Sequence, residues 1–191
     1  MRLLIFLCLL RQVLPFTFLA QTLPGLENLL FNELSAISSP NLIPQPPTKP
    51  GGVLLSSPTV SSIYPLLLHS RIATKFLLQL SPPTTIDATP EAVYKHTQET
   101  IDPELLHSQT PNDWLTFSVN TTPLSTLPPI LSHSKATAIN IAKALTDLCL
   151  TRNNTRPNVD LLDPDLPLQA FLSSPGDTEL TVSLYASLIA R

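Results

Sequence analysis

Glycine is scarce in this chain: four in 191 residues, at Gly25, Gly51, Gly52 and Gly176, with no G-x-G among them. Phosphate-cradling loops, the dinucleotide fingerprint and the G-x-S-x-G nucleophile elbow all need glycine where the backbone turns sharply or meets a ligand, so all three are excluded. The two cysteines, Cys8 and Cys149, sit in separate apolar runs with no second cysteine or histidine at ligand spacing. Neither a disulfide framework nor a zinc site follows, and buried thiols are expected. Four histidines, His69, His96, His107 and His133, are dispersed without an H-E-x-x-H pattern. His69 lies in an apolar helical stretch and is expected to be packed.

Charge is also sparse. Asp, Glu, Lys and Arg make up 13% of the chain, about half the usual ~25%. The net charge of −3 argues against a diffuse grip on nucleic acid, because neutralising phosphates with Lys and Arg supplies most non-specific affinity. A local cluster remains compatible with it. Hydrophobic residues at 43% and this length suit one large or two small domains with a real core. With 21 prolines, turns are built mostly from Pro, Ser, Thr and Asn.

The strongest periodic stretch is Leu131–Leu150. Ala138, Ile141, Ala142, Leu145, Leu148 and Cys149 repeat at helical spacing, and Asn140, Lys143 and Asp147 mark the opposite face. Ser132 or Ser134 can cap its start. Four of the eleven basic residues, Lys135, Lys143, Arg152 and Arg156, fall in or just after it. Lys135 stands at the helix N-terminus, where free amides and the dipole favour a phosphate.

Along the chain, Met1–Leu14 holds the apolar run Leu3–Leu10, too short for a bilayer span of about 20 residues. It resembles a leader or targeting segment more than a secretory signal, since Arg11 breaks the run. Phe16–Ala20 reads as a strand, and Gly25–Leu34 as a helix with Leu26, Leu30, Leu34 and Ile37 on one face. Five prolines in residues 40–50 limit any strand there to a short edge. Gly52–Ser56 is a strand, Val60–Ala73 a helix with Ile63, Leu67 and Ile72 inward, and Lys75–Leu80 a strand. Pro82-Pro83 marks a boundary. Pro90–Thr100 is a helix capped by Thr89, with Glu91 in its first turn. Trp114–Asn120, Asn158–Leu162, Pro167–Leu172 and Glu179–Tyr185 read as strands, the last two joined by a turn at Pro175-Gly176-Asp177. Asp160, Asp163 and Asp165 are turn-forming residues around Asp163-Pro164-Asp165 rather than a metal or acid–base cluster.

His133-Ser134-Lys135-Ala136 opening a helix, then Arg156-Pro157-Asn158-Val159-Asp160 and Pro164-Asp165 before a strand, resemble the THUMP domain. The likeness is greatest to that of bacterial-type large-subunit rRNA guanine-N2 methyltransferases. Phe16–Glu33 is similar to their opening strand, turn and helix, and Gly51-Gly52-Val53 and Leu67–Leu80 fall in the same order. The resemblance covers Pro15 to Tyr185. It implies an α/β (α+β) fold with a ferredoxin-like subdomain over residues 15–84 and a THUMP-type α/β domain over 85–191, behind a leader at 1–14.

The same resemblance implies an RNA-binding module that presents structured RNA, rRNA rather than tRNA, to a methyltransferase domain or subunit outside this chain. DNA and, in the mature form, membrane are not expected partners. The expected RNA contacts are Ser132, His133, Ser134, Lys135, Lys143, Arg152 and Arg156. Two departures weaken them: lysines of the family's central helix align with Asn140 and Ala142, and the basic tail is replaced by Ser187-Leu188-Ile189-Ala190-Arg191. Affinity should therefore be weak and salt-sensitive.

A methyltransferase using S-adenosylmethionine needs a glycine-rich turn after a strand and an Asn-Pro-Pro-Tyr-type loop. This stretch has neither, so no catalytic residue, cofactor or metal ligand is assigned and the chain is expected not to be an enzyme. The compartment is expected to be intracellular, a plastid or mitochondrion if the leader targets it. Other readings are a protein-interaction scaffold that has lost its charge, an N-terminal fragment of such a methyltransferase, and a secreted glycoprotein using the sequons at Asn120 and Asn153.

Overall fold

A computed structural model describes residues 15–47, 51–106, 115–131, 134–176 and 178–190. Cys8, His107 and Trp114 fall outside these residues. The chain divides into two units, one taking residues up to Gln79 with those from Ser187 on, the other Leu80–Ala186.

The first unit begins with strand β1 (Phe16–Gln21), whose Phe16, Phe18 and Ala20 are buried in alternation with Thr17, Leu19 and Gln21. Gly25, at φ +94°, turns the chain into helix α1 (Glu27–Ile37), a conformation L side chains resist. Leu30 and Leu34 are fully buried, whereas Leu26 precedes the helix and is exposed. Strand β2 is only Ile43–Pro44 and pairs with β3 (Gly52–Ser57), the short edge that proline density predicts. β3 runs antiparallel to β1 from Phe16↔Ser57 to Gln21↔Gly52. A Cβ on Gly52 would lie 2.7 Å from the carbonyl oxygen of Ala20, so the two strands meet too closely there for a side chain.

The expected helix over Val60–Ala73 is shorter and divided. A 3₁₀ turn (Val60–Ile63) runs into α2 (Tyr64–His69), with Pro65 in its first turn where no amide is needed. Val60, Ile63, Leu66 and Leu67 are buried, Ile72 lies beyond the helix, and His69 is exposed rather than packed. Strand β4 (Lys75–Asp87) pairs antiparallel with β1 from Phe18↔Leu78 to Gln21↔Lys75. The order β2-β3-β1-β4 and the succession β1-α1-β2-β3-α2-β4 make this unit ferredoxin-like.

Pro82 and Pro83 do not end β4. The strand passes through both, which are exposed, and continues to Asp87. A proline is tolerated in a strand where its missing amide faces no ladder partner. In the second unit, α3 (Pro90–Thr100) is capped as expected: the Thr89 hydroxyl accepts from the Ala92 amide at 3.2 Å. After a 3₁₀ turn at Pro103–Leu106 come β5 (Phe117–Pro123), α4 (Ser134–Asn153), β6 (Leu166–Ser173) and β7 (Glu179–Ala190). β5 and β6 are parallel, from Phe117↔Leu166 to Pro123↔Leu172, and α4 is the crossover that parallel neighbours require. β7 returns antiparallel to β6, and the unit's strand order is β4-β7-β6-β5.

The expected strand at Asn158–Leu162 reduces to one bridge, Val159 to Phe117. The Asp160 carboxylate accepts from the amides of Leu162 (2.9 Å) and Asp163 (3.2 Å), folding into a turn the backbone that a ladder would need extended. Leu161 and Leu162 consequently stand exposed.

Candidate nucleic-acid interface

Helix α4 buries Ile141, Ala144, Leu145, Leu148 and Cys149, which leaves the opposite side to solvent. Lys135 and Lys143 are both exposed on that side, about 80° apart around the axis at 100° per residue, with the 66% exposed Ile139 between them. Arg152, exposed, is in the last turn, and Arg156, also exposed, lies past Asn154, whose φ of +52° ends the helix. Ser134 opens the helix, while Ser132 and His133 lie outside the described residues.

These cations do not form one cluster. A 20-residue helix is about 30 Å long, so Lys135 and Arg152 are about 26 Å apart along its axis. The start of the helix and its trailing loop are opposite ends of one rod. Lys135 and Lys143 share the exposed side but are about 12 Å apart along the axis, while Arg152, nine positions beyond Lys143, is turned about 180° from it near the other end of the rod, four positions before Arg156.

None of the four is neutralised by an ion pair among the described residues, where the pair Lys95–Glu99, at 3.8 Å, is exposed. Asp147, one turn beyond Lys143, instead accepts from the Tyr94 hydroxyl at 2.9 Å, and Gln98 donates to that same hydroxyl. Burial, and then the Asp147 carboxylate, push the Tyr94 phenol above its usual pKa. Tyr94 and Asp147 are 53 positions apart, and no local pattern in the sequence pairs them.

The acidic turn after α4 is structural. Two amides hold the Asp160 carboxyl below the ordinary range, those of Leu162 and Asp163. Asp165 accepts from the amide (2.9 Å) and hydroxyl (2.8 Å) of Thr116. Among the described residues no group of three His, Cys, Asp or Glu side chains could hold a metal.

No family model matches the chain. The fold is that of about two-fifths of the chain of solved methylases. A predicted N6-adenine-specific DNA methylase from Listeria monocytogenes str. 4b F2365 superposes with a TM-score of 0.63 at 16% identity, over 90% of this chain and 40% of that one. A possible methylase from Clostridium difficile 630 gives 0.59 at 13% identity, over 90% and 41%. In sequence, the chain is homologous to the ribosomal RNA large subunit methyltransferase K/L of Colwellia psychrerythraea (strain 34H), at 30% identity over 155 residues. That match takes 81% of this chain and 20% of the relative; the chain thus spans about a fifth of the length of the curated relative.

The expectation that the chain is not an enzyme is overturned by these findings. Its relative is a methyltransferase, and the fold it shares is that of methylases. The match takes one fifth of the relative, so a lack of glycine-rich loops in this stretch says nothing of the relative's other four-fifths.

Proposed function

We propose that this chain is the RNA-docking part of a large-subunit rRNA methyltransferase, with a THUMP-type second unit that presents structured rRNA to the methyltransferase domain. The observation that carries the reading is the 30% identity to the rRNA methyltransferase across four-fifths of the chain. The ferredoxin-like unit, the crossover helix α4 and the residues resembling THUMP around it support the same conclusion. The contacts are Lys135 and Lys143 on the exposed side of α4 and Arg152 and Arg156 at its far end, with Ser132, His133 and Ser134 preceding Lys135 in sequence.

Filter binding of structured rRNA fragments to the full chain tests this. Four phosphate contacts give a log–log salt slope of about −3 to −4, so raising salt from 50 to 200 mM should weaken binding by about a hundredfold. Changing Lys135, Lys143, Arg152 and Arg156 together to Ala should remove that salt dependence and most of the affinity. Unchanged binding by the quadruple variant would sink the interface.

A further inference from the structure

A second surface of the second unit carries the opposite charge. Between α3 and the end of β4 lies an open groove of about 430 Å³, lined on the helix side by Ala92, Lys95, His96 and Glu99, and on the other by Thr84–Asp87 and Glu179. This volume lies in the range of ligand pockets. Of its four charged side chains three are acids, and its one lysine is paired with Glu99. The carboxylates of Asp87 and Glu179 form no hydrogen bond or ion pair among the described residues, and both residues are exposed.

Two further observations make the groove more than an acidic cluster. Strand β4 pairs with β1 only through Lys75–Leu78. Along Thr84–Asp87 the edge of β4 away from β7 therefore has no strand partner among the described residues, and a bare edge is a template for another strand. His96, in the groove wall, is 6% exposed, and its Nε2 has no hydrogen-bond partner among the described residues. A buried polar atom without a partner costs free energy that an incoming donor or acceptor recovers.

We propose that this groove binds an extended, Lys- or Arg-bearing peptide segment of a protein partner, added as a strand along Thr84–Asp87 beside α3. Backbone hydrogen bonds to the β4 edge supply affinity, and alternate side chains facing the groove supply selectivity. Asp87, Glu99 and Glu179 select cationic side chains and repel the phosphates of RNA, so this surface is distinct in chemistry from the α4 face. The proposal does not depend on the RNA-docking reading.

The test uses the full chain and a fluorescein-labelled peptide of alternating Lys and Val, followed by anisotropy. Asp87→Asn with Glu179→Gln should weaken binding about tenfold, whereas Glu91→Gln with Asp163→Asn, an equal charge change outside the groove, should leave it within about twofold. The same peptide N-methylated at alternate residues keeps its charge but cannot pair along an edge, and should also lose about tenfold. Equal losses from the two double variants would reduce the effect to diffuse charge and overturn the site. Undiminished binding of the N-methylated peptide, or displacement of the probe by an oligouridylate, would overturn strand addition or the class of partner.

Discussion

Glu33 of the first unit and Asp87 of the second are both carboxylates in a chain with few, and they are used in different ways. Glu33 closes the loop after α2: it accepts from the Ser70 hydroxyl at 2.6 Å and the Arg71 and Ile72 amides at 2.8 and 3.4 Å. Glu27 does the same for two turns, accepting from the Gly25 amide at 2.9 Å and the Gly51 amide at 2.7 Å. Asp87, like Glu179, holds no backbone among the described residues and lines the α3/β4 groove. Asp160 and Asp165 show that the second unit also uses carboxylates as staples. An acid that folds the chain and one left for a partner are thus told apart by what they accept.

The largest test of this contrast is Glu33→Ala, which strands three donors and should cost about 2 kcal/mol in urea unfolding. Asp87→Asn should stay within about 0.5 kcal/mol; an equal loss at both sites would erase the distinction. Next comes Thr89→Ala, which removes the α3 cap and should lower stability by about 1 kcal/mol, with Thr89→Ser restoring most of it.

The smallest effect separates the two units by pH. Burial holds the His96 imidazole below its usual value of 6.5, with Glu99 pulling weakly the other way. The unfolded chain therefore binds this proton first, so stability contributed by the second unit should fall as pH drops below about 6.5. In the first unit the Gly51 amide leads the backbone donors that hold the Glu27 carboxyl below 4.5. Its contribution is complete above 4.5 and is lost only as pH falls through the lower folded value. Unfolding curves of His96→Leu and Glu27→Gln across pH 7.5 to 3 should each flatten one window and leave the other; a change in both windows from either variant would refute the assignment.

Much of the fold was legible because alternation and helical spacing report burial directly. β1, α1, β3, the position of α2, the start of β4 and the Thr89 cap follow from residues alone, whereas β2 is expected only from the family resemblance, with proline limiting it to a short edge. The strand expected at Lys75–Leu80 runs on through Pro82-Pro83 to Asp87 because a missing amide matters only on a paired edge, and sequence does not say which edge is paired. Asn158–Leu162 misled because its apolar residues suggest a strand while the Asp160 side chain takes two backbone amides. For the candidate interface, the cations and the helix were both legible, and the helix already implies that closeness in sequence becomes distance in space, about 26 Å between Lys135 and Arg152. The α3/β4 groove was not legible, since Glu179 reaches it from a strand far along the chain.

The parallel pairing of β5 with β6 has a consequence for synthesis. β5 gains that neighbour only after Leu124–Asp165, including the whole of α4, has been made. A nascent chain emerging from the ribosome therefore leaves the hydrogen-bonding edge of Phe117–Pro123 without this partner until Leu166–Ser173 follows, and this interval is where a chaperone would be needed most.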